Sequence, residues 1–161
     1  IRPSASALPA AVFGFMTMTI GMLVGRTWQL MLSDDFGASL AEIATQQGLS
    51  VAQMRIALLL ATPVAVALSM AVHTLVLRIA VGVTGGRADW STSLRIVGYG
   101  AAAYALMILP PIGWFPLGHL LAIIWLFNLE ASAVSRFYGY PRLRATLVVL
   151  APIFLSVMCG G

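Results

Sequence analysis

Ionisable residues are scarce in this sequence, and the few that lie inside long apolar stretches are the first candidates for chemistry. His73 and Glu130 are two such residues. An imidazole and a carboxylate at membrane depth are costly to bury in lipid, and together they could exchange a proton. They form a candidate intramembrane polar pair. The alternatives are a histidine with satisfied hydrogen bonds and an interfacial ion pair, since Glu130 lies close enough to the cytoplasmic end of its segment to meet Arg136 or Arg87.

Arginine is the second source of chemistry, since all nine basic residues are arginine. A predicted cytoplasmic rim consists of Arg87, Arg95, Arg136, Arg142 and Arg144. Such a rim could dock a protein partner or bind anionic lipid, or it could serve only as a positive-inside anchor with an aromatic belt. The arginines are scattered rather than gathered in one basic patch, so no nucleic-acid partner is expected.

Motifs for catalysis are missing from the sequence. It contains no G-x-S-x-G elbow, H-E-x-x-H helix, phosphate-binding loop or dinucleotide fingerprint. A lone cysteine, Cys159, excludes an internal disulfide, and it shares no metal-ligand spacing with His73 or His119. We therefore predict a non-enzymatic protein with no catalytic residues, no cofactor and no metal.

The composition shows what must position these residues, because 60% of the chain is hydrophobic and only 9% is charged. Such a chain belongs in a bilayer. Segments of sufficient length and apolarity occur at about residues 8–32, 56–83, 94–109, 115–133 and 143–159. The predicted fold is an all-α integral membrane protein, a single domain over residues 1–161 with five transmembrane helices.

A short amphipathic helix is predicted between the first and second transmembrane helices. "SLAE" at 39–42 and "SVAQ" at 50–53 both have the pattern of a capping box, in which serine and a residue three positions later satisfy free backbone groups. The short helix should therefore begin near Ser39 and end near Gly48, and Ser50 should cap the next helix.

Glycine and proline mark the predicted turns. Gly85 and Gly86 should end the second transmembrane helix and allow a tight return. Pro110, Pro111 and Gly113 should join the third and fourth helices as a close antiparallel hairpin.

Small residues on the first helix indicate close helix packing. Gly14, Gly21 and Gly25 would let another helix approach closely, since lipid provides no hydrophobic drive for association. Packing within the chain is favoured over a homodimer interface.

The arginine distribution sets the expected orientation. By the positive-inside rule, the two arginine-rich connections lie in the cytoplasm, which places the N-terminus there and the C-terminus on the opposite side. The exclusive use of arginine indicates a GC-rich bacterial genome, so the expected location is the bacterial cytoplasmic membrane.

Three stretches carry a family resemblance: "AVHTLVLRIAVGVTGGRADWSTSLRIVGYG", "LPPIGW" and "RLRATLVVLAP". Their order resembles the prokaryotic branch of the Yip family, named for Ypt/Rab-interacting proteins. The resembling residues are His73, Gly85, Gly86, Arg95, Tyr99, Pro111, Gly113, Arg144 and Pro152. The resemblance implies five membrane helices, a cytoplasmic N-terminus and a scaffolding role.

We therefore expect a membrane scaffold or accessory subunit that binds other integral membrane proteins. The alternative is a small-solute or proton-coupled transporter that uses His73 and Glu130.

Overall fold

The computed structural model describes residues 6–32, 34–87, 89–112 and 115–160, with side chains described for all of these except 34–36 and 152–160. In chain order the helices are α1 (Leu8–Leu32), α2 (Asp34–Gln46), α3 (Val51–Val83), α4 (Trp90–Gly100), a 3₁₀ helix (Ala101–Ile108), α5 (Leu117–Tyr138) and α6 (Arg142–Gly160). Among the described residues, the only β-type backbone pairing is an isolated bridge between Ile112 and Phe115. The prediction of an all-α protein is confirmed.

Among the described residues, three helices are long and apolar enough to cross a bilayer, namely α1, α3 and α5. Large apolar side chains are exposed along α3, including Leu60, Val64, Leu68 and Val72. A continuous apolar surface of this kind is unfavourable in water and suits the hydrocarbon core. These helices indicate a protein that inserts in a membrane.

The prediction of five transmembrane helices is not supported. The third predicted span, residues 94–109, is divided because the α-helix ends at Gly100 and a 3₁₀ helix continues to Ile108. Pro110 and Pro111 have no N–H to donate to the carbonyls four residues earlier, which disfavours α-helical bonding at this end. In α6, the side chains of 152–160 lie outside the described residues.

The amphipathic helix α2 begins earlier than expected. It runs from Asp34, so Ser39 lies inside the helix and is not its N-cap. The prediction that "SLAE" starts the helix is wrong. The second capping box is confirmed, since Ser50 Oγ accepts from the Gln53 N–H at 3.2 Å while Gln53 Oε1 accepts from the Ser50 N–H at 2.9 Å.

The segment formed by α4 and the 3₁₀ helix is central in the bundle. Both helices pack against α1 and α5, and α4 also packs against α3. One hydrophobic cluster joins α3, α4, α5 and α6 through Leu77, Ile96, Val134 and Val149. The long peripheral helices therefore surround a broken central segment.

The end of α3 shows why two glycines follow it. Gly85 has a φ of 81°, which an L side chain rarely adopts. Its N–H donates to the Gly82 carbonyl at 3.0 Å, and the Gly86 N–H donates to the Val81 carbonyl at 2.9 Å. This pair of bonds is the Schellman helix ending. In the connection between the 3₁₀ helix and α5, Gly113 lies outside the described residues.

The start of α4 depends on Asp89, whose carboxylate accepts from the Thr92 N–H at 3.0 Å. This backbone hydrogen bond is the main cause of the lowered pKa of Asp89. We expect Asp89→Ala to lower the free energy of unfolding by about 1 kcal/mol, because the helix loses its N-cap. The matched variant Asp89→Asn keeps an acceptor and should retain most of this stability.

The stabilisation of α4 by the Asp89 carboxylate should depend on pH. Because the carboxylate has a lower pKa in the folded protein, the stabilisation is present above the ordinary aspartate pKa of about 3.9 and is lost as pH falls through the folded-state value. Thermal denaturation of wild type and Asp89→Ala in detergent, from about pH 6 to about pH 3, measures how the stability difference between them changes with pH. A difference between wild type and Asp89→Ala that does not change with pH would contradict the assignment.

Candidate functional site

A groove of about 1100 Å³ lies at the end of the bundle where α3 and α5 finish and α4 and α6 begin. We call it the arginine groove. Its lining includes Arg87, Arg95, Arg136, Tyr99, Tyr138 and Tyr140. None of its described lining residues is acidic. The groove is therefore a positively charged recess with aromatic walls.

Arg95 is the unusual member of this lining. It lies on α4, six residues after the Asp89 cap, and its exposed fraction is only 5%. The buried Nε and Nη2 atoms of its guanidinium have no hydrogen-bond partner. Buried arginine is normally paired, because an uncompensated charge in a low-dielectric site is strongly destabilising. A groove-lining side chain thus carries a buried charge with two donors that have no acceptor.

The structure separates the five predicted rim residues. Arg87, Arg95 and Arg136 line the groove. Arg144 stacks over the Tyr140 ring, with its Cζ 4.3 Å from the ring centroid. Arg142 is exposed and lies outside the groove lining.

Tyr140 holds one wall of the groove in place. Its hydroxyl donates to the Val81 carbonyl at 3.3 Å and lies 3.2 Å from Thr84 Oγ1. Its own carbonyl accepts from Ser135 Oγ at 2.8 Å. A Cβ on Gly86 would collide with the Tyr140 hydroxyl. Gly86 therefore allows the turn after α3 to pack against the α5–α6 connection.

His73 on α3 and Glu130 on α5 are in contact, with His73 Nε2 3.1 Å from Glu130 Oε2. Glu130 is 1% exposed and the His73 side chain is 21% exposed. Their contact is ionic when the imidazole carries a proton. The partner of Glu130 in the structure is thus His73, in place of the interfacial Arg136 or Arg87.

The surroundings of this pair include the junction between α4 and the 3₁₀ helix. A Cβ on Gly100 would lie 2.8 Å from Glu130 Cγ and 3.0 Å from Oε1, the oxygen that lacks a hydrogen-bond partner. A void of about 10 Å³ beside the pair is bordered by Ala101 and Tyr104. That volume is near the smallest that holds one water. Gly100 also lines the arginine groove, so this residue borders both the groove and Glu130.

The three glycines of α1 all face helices of the same chain. A Cβ on Gly14 would lie 2.5 Å from the Gly98 carbonyl oxygen, and one on Gly21 would collide with the Tyr104 carbonyl. A Cβ on Gly25 would lie 3.2 Å from His119 Cε1. These small residues therefore serve internal packing.

Sequence reasoning missed Gly100 and Tyr104 as neighbours of Glu130. Gly100 gave a usable signal, since glycine weakens a helix and an internal glycine often marks close approach of another group. Tyr104 gave none, because an aromatic residue in an apolar segment is ordinary. Among the described residues, no three His, Cys, Asp or Glu side chains gather as metal ligands would.

Comparison of the chain with protein-family models, curated proteins and solved structures found no match. The described part of the chain is an all-α membrane protein that carries the arginine groove and the buried His73–Glu130 pair. The functional proposals rest on the geometry of these two features.

Proposed function

We propose that the chain is a proton-coupled membrane transport protein in which His73 and Glu130 exchange the coupling proton. The observation that carries this proposal is the 3.1 Å contact between them across two helices of spanning length. Ionisable groups inside membrane helices are rare, face the bundle interior and commonly mark proton or substrate pathways. A buried Glu130 with one oxygen free of hydrogen bonds fits a group that gains and loses a proton.

The broken central segment supports the same proposal. We propose that α4 and the 3₁₀ helix cross the bilayer together, since 11 and 8 residues reach roughly 32 Å at helical rises of about 1.5 and 2.0 Å. The break lies at Gly100 and Ala101, beside Glu130. Interrupted helices at membrane depth are tolerated inside a protein and form binding sites in transporters. A proton on the pair would change the charge next to this break.

The test uses protein reconstituted in liposomes with a trapped pH-sensitive dye. Inorganic phosphate, carboxylic acids, amino acids and sugars are added outside as separate solute classes. We expect one class to acidify the lumen through wild-type protein, and we expect Glu130→Gln to abolish the signal. Glutamine keeps a hydrogen-bonding group opposite His73 but cannot take up the proton.

His119→Ala is the matched control, because this second histidine has no contact with Glu130 in the described hydrogen bonds. It should retain the acidification. Equal acidification by Glu130→Gln and wild type, or no response to any solute class, would contradict the proposal.

An accessory subunit is the second candidate function, and one surface of α3 favours it. Ala57, Ala61, Ala65 and Ser69 are all exposed at four-residue spacing. Small residues at this spacing let a helix of another membrane protein approach closely. The resemblance to Yip-family scaffolds agrees with this role. For the orientation and the bacterial location of such a subunit, we propose what the arginines predict. Native mass spectrometry of the protein from its own membrane tests it: a partner at fixed stoichiometry supports it, and a lone monomer contradicts it.

A further inference from the structure

The buried guanidinium of Arg95 has donors with no acceptor in the described chain. Its exposed fraction is 5%, and neither Nε nor Nη2 has a hydrogen-bond partner. Asp89 is one candidate acceptor, because its charge is close enough to interact with Arg95. Its carboxylate, however, is engaged by the N–H and hydroxyl of Thr92 at 3.0 and 3.1 Å. An anion in the groove that Arg95 lines would therefore compensate its buried charge.

The groove around Arg95 has the charge and size to supply that acceptor. Arg87 and Arg136 line the same recess, and both are exposed. A volume of about 1100 Å³ is sufficient for a phosphate group together with the molecule that carries it. One arginine fork is enough for a carboxylate, whereas three arginines around one recess match the several oxygens of a phosphate.

We propose that the arginine groove binds a phosphate-bearing anion, with the Arg95 guanidinium donating to its oxygens from the inner wall and Arg87 and Arg136 adding charge at the entrance. The ligand is either the headgroup of an anionic phospholipid or a soluble phosphate compound, since both present the same oxygens. Binding here does not depend on proton transfer at His73 and Glu130. Failure of the liposome assay therefore leaves this site unaffected.

The first test is titration calorimetry of full-length protein in a lipid-free detergent with inorganic phosphate. The second arm places the protein in nanodiscs of phosphatidylcholine with or without phosphatidylglycerol and measures the melting temperature. Binding of inorganic phosphate identifies a soluble ligand. A higher melting temperature with phosphatidylglycerol, without phosphate binding in detergent, identifies a lipid headgroup.

Arg95→Met is the decisive variant. It removes the donors and an unpaired buried charge while keeping a long side chain, so the protein should fold. We expect affinity to fall roughly tenfold or more, since hydrogen bonds to charged groups are strong. Where Arg95→Met yields no folded protein, the exposed groove residue Arg136 serves in its place as Arg136→Gln, which should weaken binding severalfold.

Arg142→Met is the matched control, because it removes one arginine charge at the same end of the bundle but outside the groove. It should bind as wild type does. The proposal is overturned if wild-type protein responds to neither probe, or if Arg95→Met and Arg142→Met reduce binding equally. The latter result would mean that only net charge attracts the anion.

Discussion

Gly98→Ala should lower the free energy of unfolding by about 3 kcal/mol, an unusually large effect for one added methyl group. The crossing of α1 and α4 has no room for it. A Cβ on Gly98 would collide with the Ala10 carbonyl oxygen and lie 2.7 Å from the Ala10 carbonyl carbon. These are backbone atoms of a helix, so the clash is relieved only by moving α1 away from α4.

Gly82→Ala provides the matched control in α3. A Cβ there meets nothing within 4 Å, and alanine has a higher helix propensity than glycine. This variant should be at least as stable as wild type. Thermal denaturation of both variants in the same detergent gives the comparison. If both glycines tolerate alanine equally, α1 and α4 do not approach each other as closely as the structure has them.

Helix content and membrane insertion were predictable from the sequence because both follow from local properties. A hydrophobic fraction of 60% excludes a water-exposed surface of ordinary composition, and uninterrupted apolar stretches set the three spanning helices. The capping box at Ser50 was also predictable, since both of its hydrogen bonds join residues three positions apart.

Hydropathy could not distinguish an α-helix from a 3₁₀ helix, and for that reason the third span of the five-span prediction is not supported as a continuous α-helix. Residues 101–108 are as apolar as a spanning helix requires, but the type of backbone hydrogen bond depends on the prolines that follow and on neighbouring helices. The start of α2 was misplaced for a related reason. "SLAE" satisfies the capping pattern, yet the helix begins five residues earlier, at Asp34.

The residues of the candidate sites were predictable from the sequence, but their arrangement in space was not. Positive-inside counting grouped five arginines by loop, but only three of them line one groove. His73 and Glu130 are 57 positions apart, and periodicity gives no rule for which faces of two helices meet. Glu130 was expected to meet Arg136 or Arg87 at the interface, because its depth was judged from its distance to the helix end, whereas the structure pairs it with His73.

Breaking the buried pair from one side should be the most damaging change at membrane depth. We expect His73→Leu to lower the free energy of unfolding by about 3 kcal/mol, because it leaves Glu130 with no partner. The carboxyl is 1% exposed, and its other oxygen already lacks a hydrogen bond. His119→Leu is the control, because it makes the same histidine-to-leucine change at the other histidine. It breaks no ion pair, so its cost should be about 1 kcal/mol or less.

The double variant His73→Leu/Glu130→Leu separates the ion pair from simple packing. Removing both groups leaves no unpaired charge, so the double variant should be more stable than His73→Leu alone. Unfolding of wild type, His73→Leu, Glu130→Leu and the double variant in mixed micelles gives a double-mutant cycle. We expect a coupling energy of at least about 2 kcal/mol. Additive effects would mean that His73 and Glu130 do not share a proton or a charge in the folded protein. A large coupling energy would show that each depends on the other, as a pair that exchanges a proton must.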